Sequence, residues 1–159
     1  MDLLDKELLS LWSAFNRHHF QFIMVGGFAV NLHGFSRVTA DADIWLKNTP
    51  ENRRAFREAM KEEGYGDYEQ FETMDFLPGW TTFALNSGLE LDLMTSLAGF
   101  EDSDFDECMK FASRANIEGV EVPFLHINHL ITEKKTVNRP KDQIDILELE
   151  RIRDERNGQ

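Results

Sequence analysis

The chain is poor in cysteine: Cys108 is the single one among 159 residues. A lone thiol cannot close an intramolecular disulfide, which excludes a disulfide-stapled secreted scaffold and suits a reducing compartment. Long hydrophobic runs are also missing, since no apolar stretch approaches the roughly 20 residues that cross a bilayer. The N-terminal Met-Asp-Leu-Leu-Asp-Lys lacks the basic start and apolar core of a secretory signal. The cytoplasm is the expected location, with no membrane partner. Positive charge is in deficit: 17 Lys and Arg against 29 Asp and Glu leave a formal net charge of −12. Such a field opposes strong non-specific binding to nucleic acid. No repeat, low-complexity stretch or linker interrupts the chain.

Aromatics, by contrast, are plentiful, with thirteen Phe and three Trp. They supply the core of a folded protein, and the length suits one domain spanning residues 1–159. Leu3, Leu4, Leu8, Leu11, Trp12 and Phe15 recur at helical spacing, predicting an amphipathic helix over 2–17. Residues 20–25 form a short apolar run that reads as a buried strand, followed by a short helix over 28–33. A second strand is expected over 43–47, and Thr49-Pro50 is a helix start for a segment running to about Glu63. Residues 81–86 and 89–95 read as a hairpin around Asn86-Ser87-Gly88. A helix over 103–113, a strand over 120–127 and helices over 128–136 and 140–156 complete the pattern. The core is thus assigned to 20–127 and the C-terminal helices to 128–156. Strands mixed with helices imply an α/β (α+β) domain, a mixed sheet flanked by helices.

The chemistry concentrates after the first strand. Gly26-Gly27 closes it, and Asp41-Ala42-Asp43 follows fourteen residues later. In an extended chain side chains alternate, so Asp41 and Asp43 point the same way. Adjacent carboxylates repel unless a cation or a shared proton compensates them. Beside a glycine turn that lets backbone approach phosphates, the fitting cation is Mg²⁺ carrying a nucleotide. Asp92 on the second hairpin strand is a third candidate ligand, and Glu90 lies on the same face two residues before it. Arg37 and Thr39 either touch phosphate or pin the loop. Lys134, with Lys135 next to it, reads by itself as a solvated helix lysine. His126 and His129, three apart, find no third metal ligand and read as core or surface histidines. His18 and His19 suit a helix C-terminus. Cys108 has no activating base. Trp45 is read as turned away from Asp43, without a base-stacking role.

The run Val25-Gly26-Gly27 followed by Arg37-Val38-Thr39-Ala40-Asp41-Ala42-Asp43 resembles the nucleotidyltransferase superfamily of the DNA polymerase β type. Leu91-Asp92-Leu93 matches its third aspartate. Leu130-Ile131-Thr132-Glu133-Lys134 and Arg139-Pro140-Lys141-Asp142 are similar to a segment of its small bacterial branch. That branch includes minimal, abortive-infection toxin-like and lincosamide-type nucleotidyltransferases, and the resemblance spans residues 20–150. It implies transfer of a nucleoside monophosphate from an NTP to an acceptor hydroxyl, with two Mg²⁺ ions and release of pyrophosphate. The metals would fall to Asp41, Asp43 and Asp92, in preference to Glu90. Gly26 and Gly27 would bind phosphate, with Arg37 and Thr39 beside them, and Lys134 would neutralise phosphate charge. The acceptor (small molecule, protein or RNA) stays open, as does a partner protein or second copy supplying acceptor surface. A toxin-like component modifying a protein or tRNA, and a catalytically silent nucleotide-binding module, are the alternatives.

Overall fold

In a computed structural model the described residues are 5–39, 41–73 and 80–158. Helix α1 (Lys6–Arg17) is started by Asp5, whose side chain accepts from the Leu8 backbone N–H at 2.9 Å. Residues 2–4, expected in this helix, lie outside the described residues. The face formed by Leu8, Leu11, Trp12 and Phe15 is fully buried. It packs beside β1 (Phe22–Val25), where Trp12 stacks on Phe22 at 5.1 Å between centroids and Phe15 meets the same ring at 5.3 Å. All four residues of β1 are buried, as a strand covered on both faces requires.

From β1 the chain passes through α2 (Gly26–Leu32) to β2 (Asp41–Leu46), α3 (Pro50–Glu62) and the single turn α4 (Gln70–Thr73). Strands β3 (Trp80–Ala84) and β4 (Glu90–Met94) precede α5 (Phe105–Phe111), β5 (Ser113–Ile117), β6 (Val120–Phe124), α6 (Ile127–Val137) and α7 (Pro140–Asn157). The six strands form one mixed sheet in the order β3-β4-β2-β1-β6-β5. β1 runs antiparallel to β2 and parallel to β6, while β2 runs parallel to β4. The expected mixed α/β fold is what the structure shows. None of the described helices is long and apolar enough to cross a membrane.

One buried amide ties the far ends of β1 and β2 together. Thr49 caps α3 by accepting from the Asn52 backbone N–H, which sets Asn52 at the strand ends. The Asn52 side chain, 3% exposed, donates to the Gln21 and Lys47 carbonyls at 2.9 and 2.8 Å and accepts from the Gln21 N–H at 2.7 Å. Three backbone groups that lie beyond the ladder are thereby satisfied.

The structure differs from the sequence expectation at several points, among them the unexpected turn α4 and the start of β2 at Asp41 rather than 43. The segment expected to end a helix at 113 instead begins β5, which pairs antiparallel with β6 through a turn at Glu118 (φ 49°) and Gly119 (φ 88°). Only Ala115 and Ile117 are apolar in this edge strand, so its alternation is faint. Helix α2 starts at Gly26 rather than at 28, because the glycines form its first turn. Trp45 shares the face of Asp43, as the two-residue period requires. It lies under Phe105 and Phe100, at 5.1 and 6.1 Å, and donates its indole N–H to the Thr95 carbonyl at 3.2 Å.

Candidate active site

The glycine turn makes room for a carboxylate. Gly26 has φ +67°, and a Cβ there would fall 2.9 Å from the Asp43 Cγ and far inside contact with its Oδ2. At Gly27 a Cβ would fall 2.5 Å from the Thr39 hydroxyl oxygen and 3.3 Å from the Arg37 guanidinium. Positive φ costs a side chain about 1–2 kcal/mol, and no side chain fits the space in any case. The loop from Arg37 to Thr39 therefore folds directly over this turn.

Register then assembles the acids. Asp43 lies opposite Val25 of β1 on one side and Asp92 of β4 on the other, while Asp41 lies opposite Glu90. Asp92 is 7% exposed, and its Oδ1 accepts from the Thr82 hydroxyl at 2.8 Å. Burial pushes the Asp43 carboxyl up to about 7, reinforced by a hydrogen bond with Asp92 and by the charges of Asp92, Asp41 and Glu133. Two carboxyls in that contact share a proton unless a cation replaces it. Glu90 is exposed at the outer end of the row and does not line the cleft, so Asp92 is the acid on β4 that meets Asp43.

Opposite the acids stands a basic wall built by α6 and α7. Lys134, only 2% exposed, places Nζ 3.1 Å from Asp145 Oδ2 and 3.4 Å from Asp142 Oδ1. Arg37 reaches the same Asp145 oxygen at 3.2 Å, and Arg139 grips Asp142 at 2.9 and 3.1 Å. Three cations thus share two buried carboxylates. Burial alone would raise the Asp142 carboxyl, but the Arg139 hydrogen bonds and the Lys134 charge hold it down to about 2. The Arg37 Nε is buried without a hydrogen-bond partner in the structure. Pro140 opens α7, and Asp142 accepts from the Arg139 backbone N–H, so this segment caps the helix as well as forming the wall.

Between the acids and the wall lies an open cleft of about 580 Å³, within the usual range for small-molecule sites of about 300–1,000 Å³. Gly26, Gly27, Arg37, Thr39, Asp41, Asp43, Asp92 and Lys134 all line it, so the residues singled out from the sequence converge on one place. Glu133 and Asp145 were given no role. Glu133 lines the cleft with its carboxyl raised by burial, and Asp145 carries the link between Lys134 and Arg37. Asp145 falls three residues after Asp142 on the inner face of α7, a helical spacing that could have flagged it.

The other polar candidates are structural. His126 caps α6 by accepting from the Asn128 N–H at 3.1 Å, and His18 pairs with Glu62 at 2.9 Å. Burial pushes the Cys108 thiol up to about 11, leaving it unreactive. Among the described residues no group of three His, Cys, Asp or Glu is gathered closely enough to cage a metal alone.

A glycine-lined acidic pair facing a cationic wall is an arrangement for charged phosphates, and comparison with known families agrees. Residues 5–159 match the family described as "Nucleotidyl transferase of unknown function (DUF2204)". The chain belongs to that family. This nucleotidyl transferase is accordingly a transferase enzyme. Among solved structures its fold is similar to that of a lincosamide antibiotic adenylyltransferase, LnuA, in a lincomycin-bound form. The TM-score is 0.62 at 16% identity, over 96% of this chain and 99% of that one. At such identity the likeness concerns the fold and carries no acceptor with it. No curated protein matches the chain.

Proposed function

We propose that the cleft binds the triphosphate of an NTP as its Mg²⁺ complex and directs its α-phosphorus to the hydroxyl of an acceptor, releasing pyrophosphate. The observation that carries this reading is the pair of half-buried Asp43 and buried Asp92 facing Arg37, Lys134 and Arg139 across one cleft.

The donor set suits Mg²⁺. Hard oxygen ligands are present, and the protein offers an open half-site, which fits an ion that takes one or two carboxylates plus substrate phosphates. Asp41, Asp43 and Asp92 would hold two such ions. Bound there, the ions would screen the phosphate oxygens and acidify the acceptor hydroxyl. The chain's own residues do the remaining work. The Gly26-Gly27 turn, free of side chains, lets the triphosphate approach the backbone. Arg37, with its unpartnered Nε, and Lys134 and Arg139 present fixed positive charge to the departing pyrophosphate. Because Asp142 and Asp145 hold these cations in place, little reorganisation is needed when charge develops.

The acceptor is a hydroxyl compound, and a net charge of −12 disfavours, without excluding, a long polyanion such as RNA. A silent binding module is disfavoured by the presence of all three acids in the cleft. The test is pyrophosphate release from each NTP with Mg²⁺ and a panel of hydroxyl acceptors, comparing the protein with its folded Asp43→Asn variant. Release that needs both the metal and Asp43 supports the reading; equal release by the variant contradicts it.

A further inference from the structure

We propose that Thr82 is a positioning residue that fixes the carboxylate of Asp92 for cation binding, an inference that rests on the metal role proposed above for the acidic row. Thr82, Asp92, Asp43 and Val25 lie in register on four neighbouring strands, β3, β4, β2 and β1. Asp92 is therefore flanked by a hydroxyl on one side and a carboxyl on the other. The Thr82 hydroxyl donates to Asp92 Oδ1 at 2.8 Å. Rotation about the last bond of an aspartate is broad and roughly two-fold, so burial alone does not choose which oxygen faces the cleft. A donor fixed on the adjacent strand does choose, because it holds Oδ1 toward β3 and turns the rest of the carboxylate toward Asp43.

The bond does little for the fold. Thr82 is exposed on the edge strand, so in its absence water can take over its hydrogen bond and the net gain to folding is small. What it controls is the direction of a charged group that is 7% exposed and faces a second carboxyl. Groups that hydrogen-bond metal ligands in this way typically contribute about 10–100-fold in metal affinity. An exposed donor belongs at the lower end of that range.

The experiment is a titration of the intact protein with Mn²⁺ alone, followed by electron paramagnetic resonance. It compares wild type with Thr82→Val, Thr82→Ala and Thr82→Ser, each checked for its melting temperature. Valine keeps the shape and strand preference without the hydroxyl, and alanine removes the hydroxyl without added bulk. Both are expected to weaken Mn²⁺ binding about 10-fold, with melting temperatures near that of wild type. Serine restores the donor and is expected to bind within about 2-fold of wild type. Wild-type affinity in the valine and alanine variants overturns the role of Thr82 alone, as does a serine variant as weak as valine. Failure of wild type to bind Mn²⁺ overturns the metal reading of the acidic row, and this inference with it.

Discussion

Replacing Gly26 with alanine tests how tightly the glycine turn and the acidic pair are built together. The added Cβ meets two costs that can be separated. Its left-handed backbone, at φ +67°, costs about 1–2 kcal/mol for any residue with a side chain. Its overlap with the Asp43 carboxylate, with Cγ at 2.9 Å, costs about 1–3 kcal/mol more as overpacking, because Asp43 is anchored in its strand and bonded to Asp92. The expected total is about 2–5 kcal/mol. In an Asp43→Ala background the carboxylate is gone and the nearest remaining atom of that side chain is Cβ, at 3.1 Å. The same Gly26→Ala change should then cost mainly the backbone part, about 1–2 kcal/mol, with a small shift of the neighbouring strand relieving the remaining contact. Urea unfolding of the four proteins of this cycle, at constant m, gives a coupling energy of about 1–3 kcal/mol. An equal cost in both backgrounds would refute the seating of Asp43 against the turn.

Other sites make separate predictions. Asn52→Ala removes three hydrogen bonds made by a buried amide to backbone groups and should cost about 2–4 kcal/mol by chemical denaturation, at about 1 kcal/mol or more per bond; a loss below 1 kcal/mol would contradict the clip between β1 and β2. Lys134→Met leaves Asp142 and Asp145 buried with fewer counter-charges, so about 3–5 kcal/mol of stability should be lost, and adding Asp145→Asn should recover part of it. An unchanged melting temperature would mean that Lys134 is not held as the structure shows. His33 is 4% exposed with Nε2 2.7 Å from the Leu125 carbonyl, and burial pushes its imidazole down to about 4. The folded protein refuses a proton that the unfolded chain accepts below about 6.5, so stability is fully present above that pH. It falls by about 3 kcal/mol as the pH drops from 6.5 to 4. His33→Gln should show that much less acid destabilisation, and identical pH profiles would refute the assignment.

The parts of the site that could be read beforehand were those whose chemistry is local. Two glycines after a buried strand, and two aspartates at a two-residue spacing, carry their meaning in a few consecutive residues. The hairpin turn at Asn86-Ser87-Gly88 likewise set Asp92 on a strand, and the parallel pairing of β4 with β2 then brought it to Asp43. Features that depend on distant segments were hidden. Lys134 looked like a surface helix lysine beside Lys135, and its burial arises from α7 folding back with Asp142 and Asp145. Glu133 lines the cleft with a raised carboxyl only because the folding of α6 against α7 and α2 buries it there. Thr82 is one threonine of a pair, and register alone distinguishes it from Thr81. Edge strand β5 lacked a signal because half-exposed strands need few apolar residues.

The most direct measurement is calorimetric titration of the four NTPs into the protein, with and without Mg²⁺, alongside Asp41→Ala and Asp43→Ala variants shown to be folded. Binding of at least one NTP that requires Mg²⁺ and is lost in the variants is the expected result, and it would also name the base. Well-folded wild type that binds no NTP, or variants that bind as tightly as wild type with Mg²⁺, would contradict a nucleotide site built on the acidic pair.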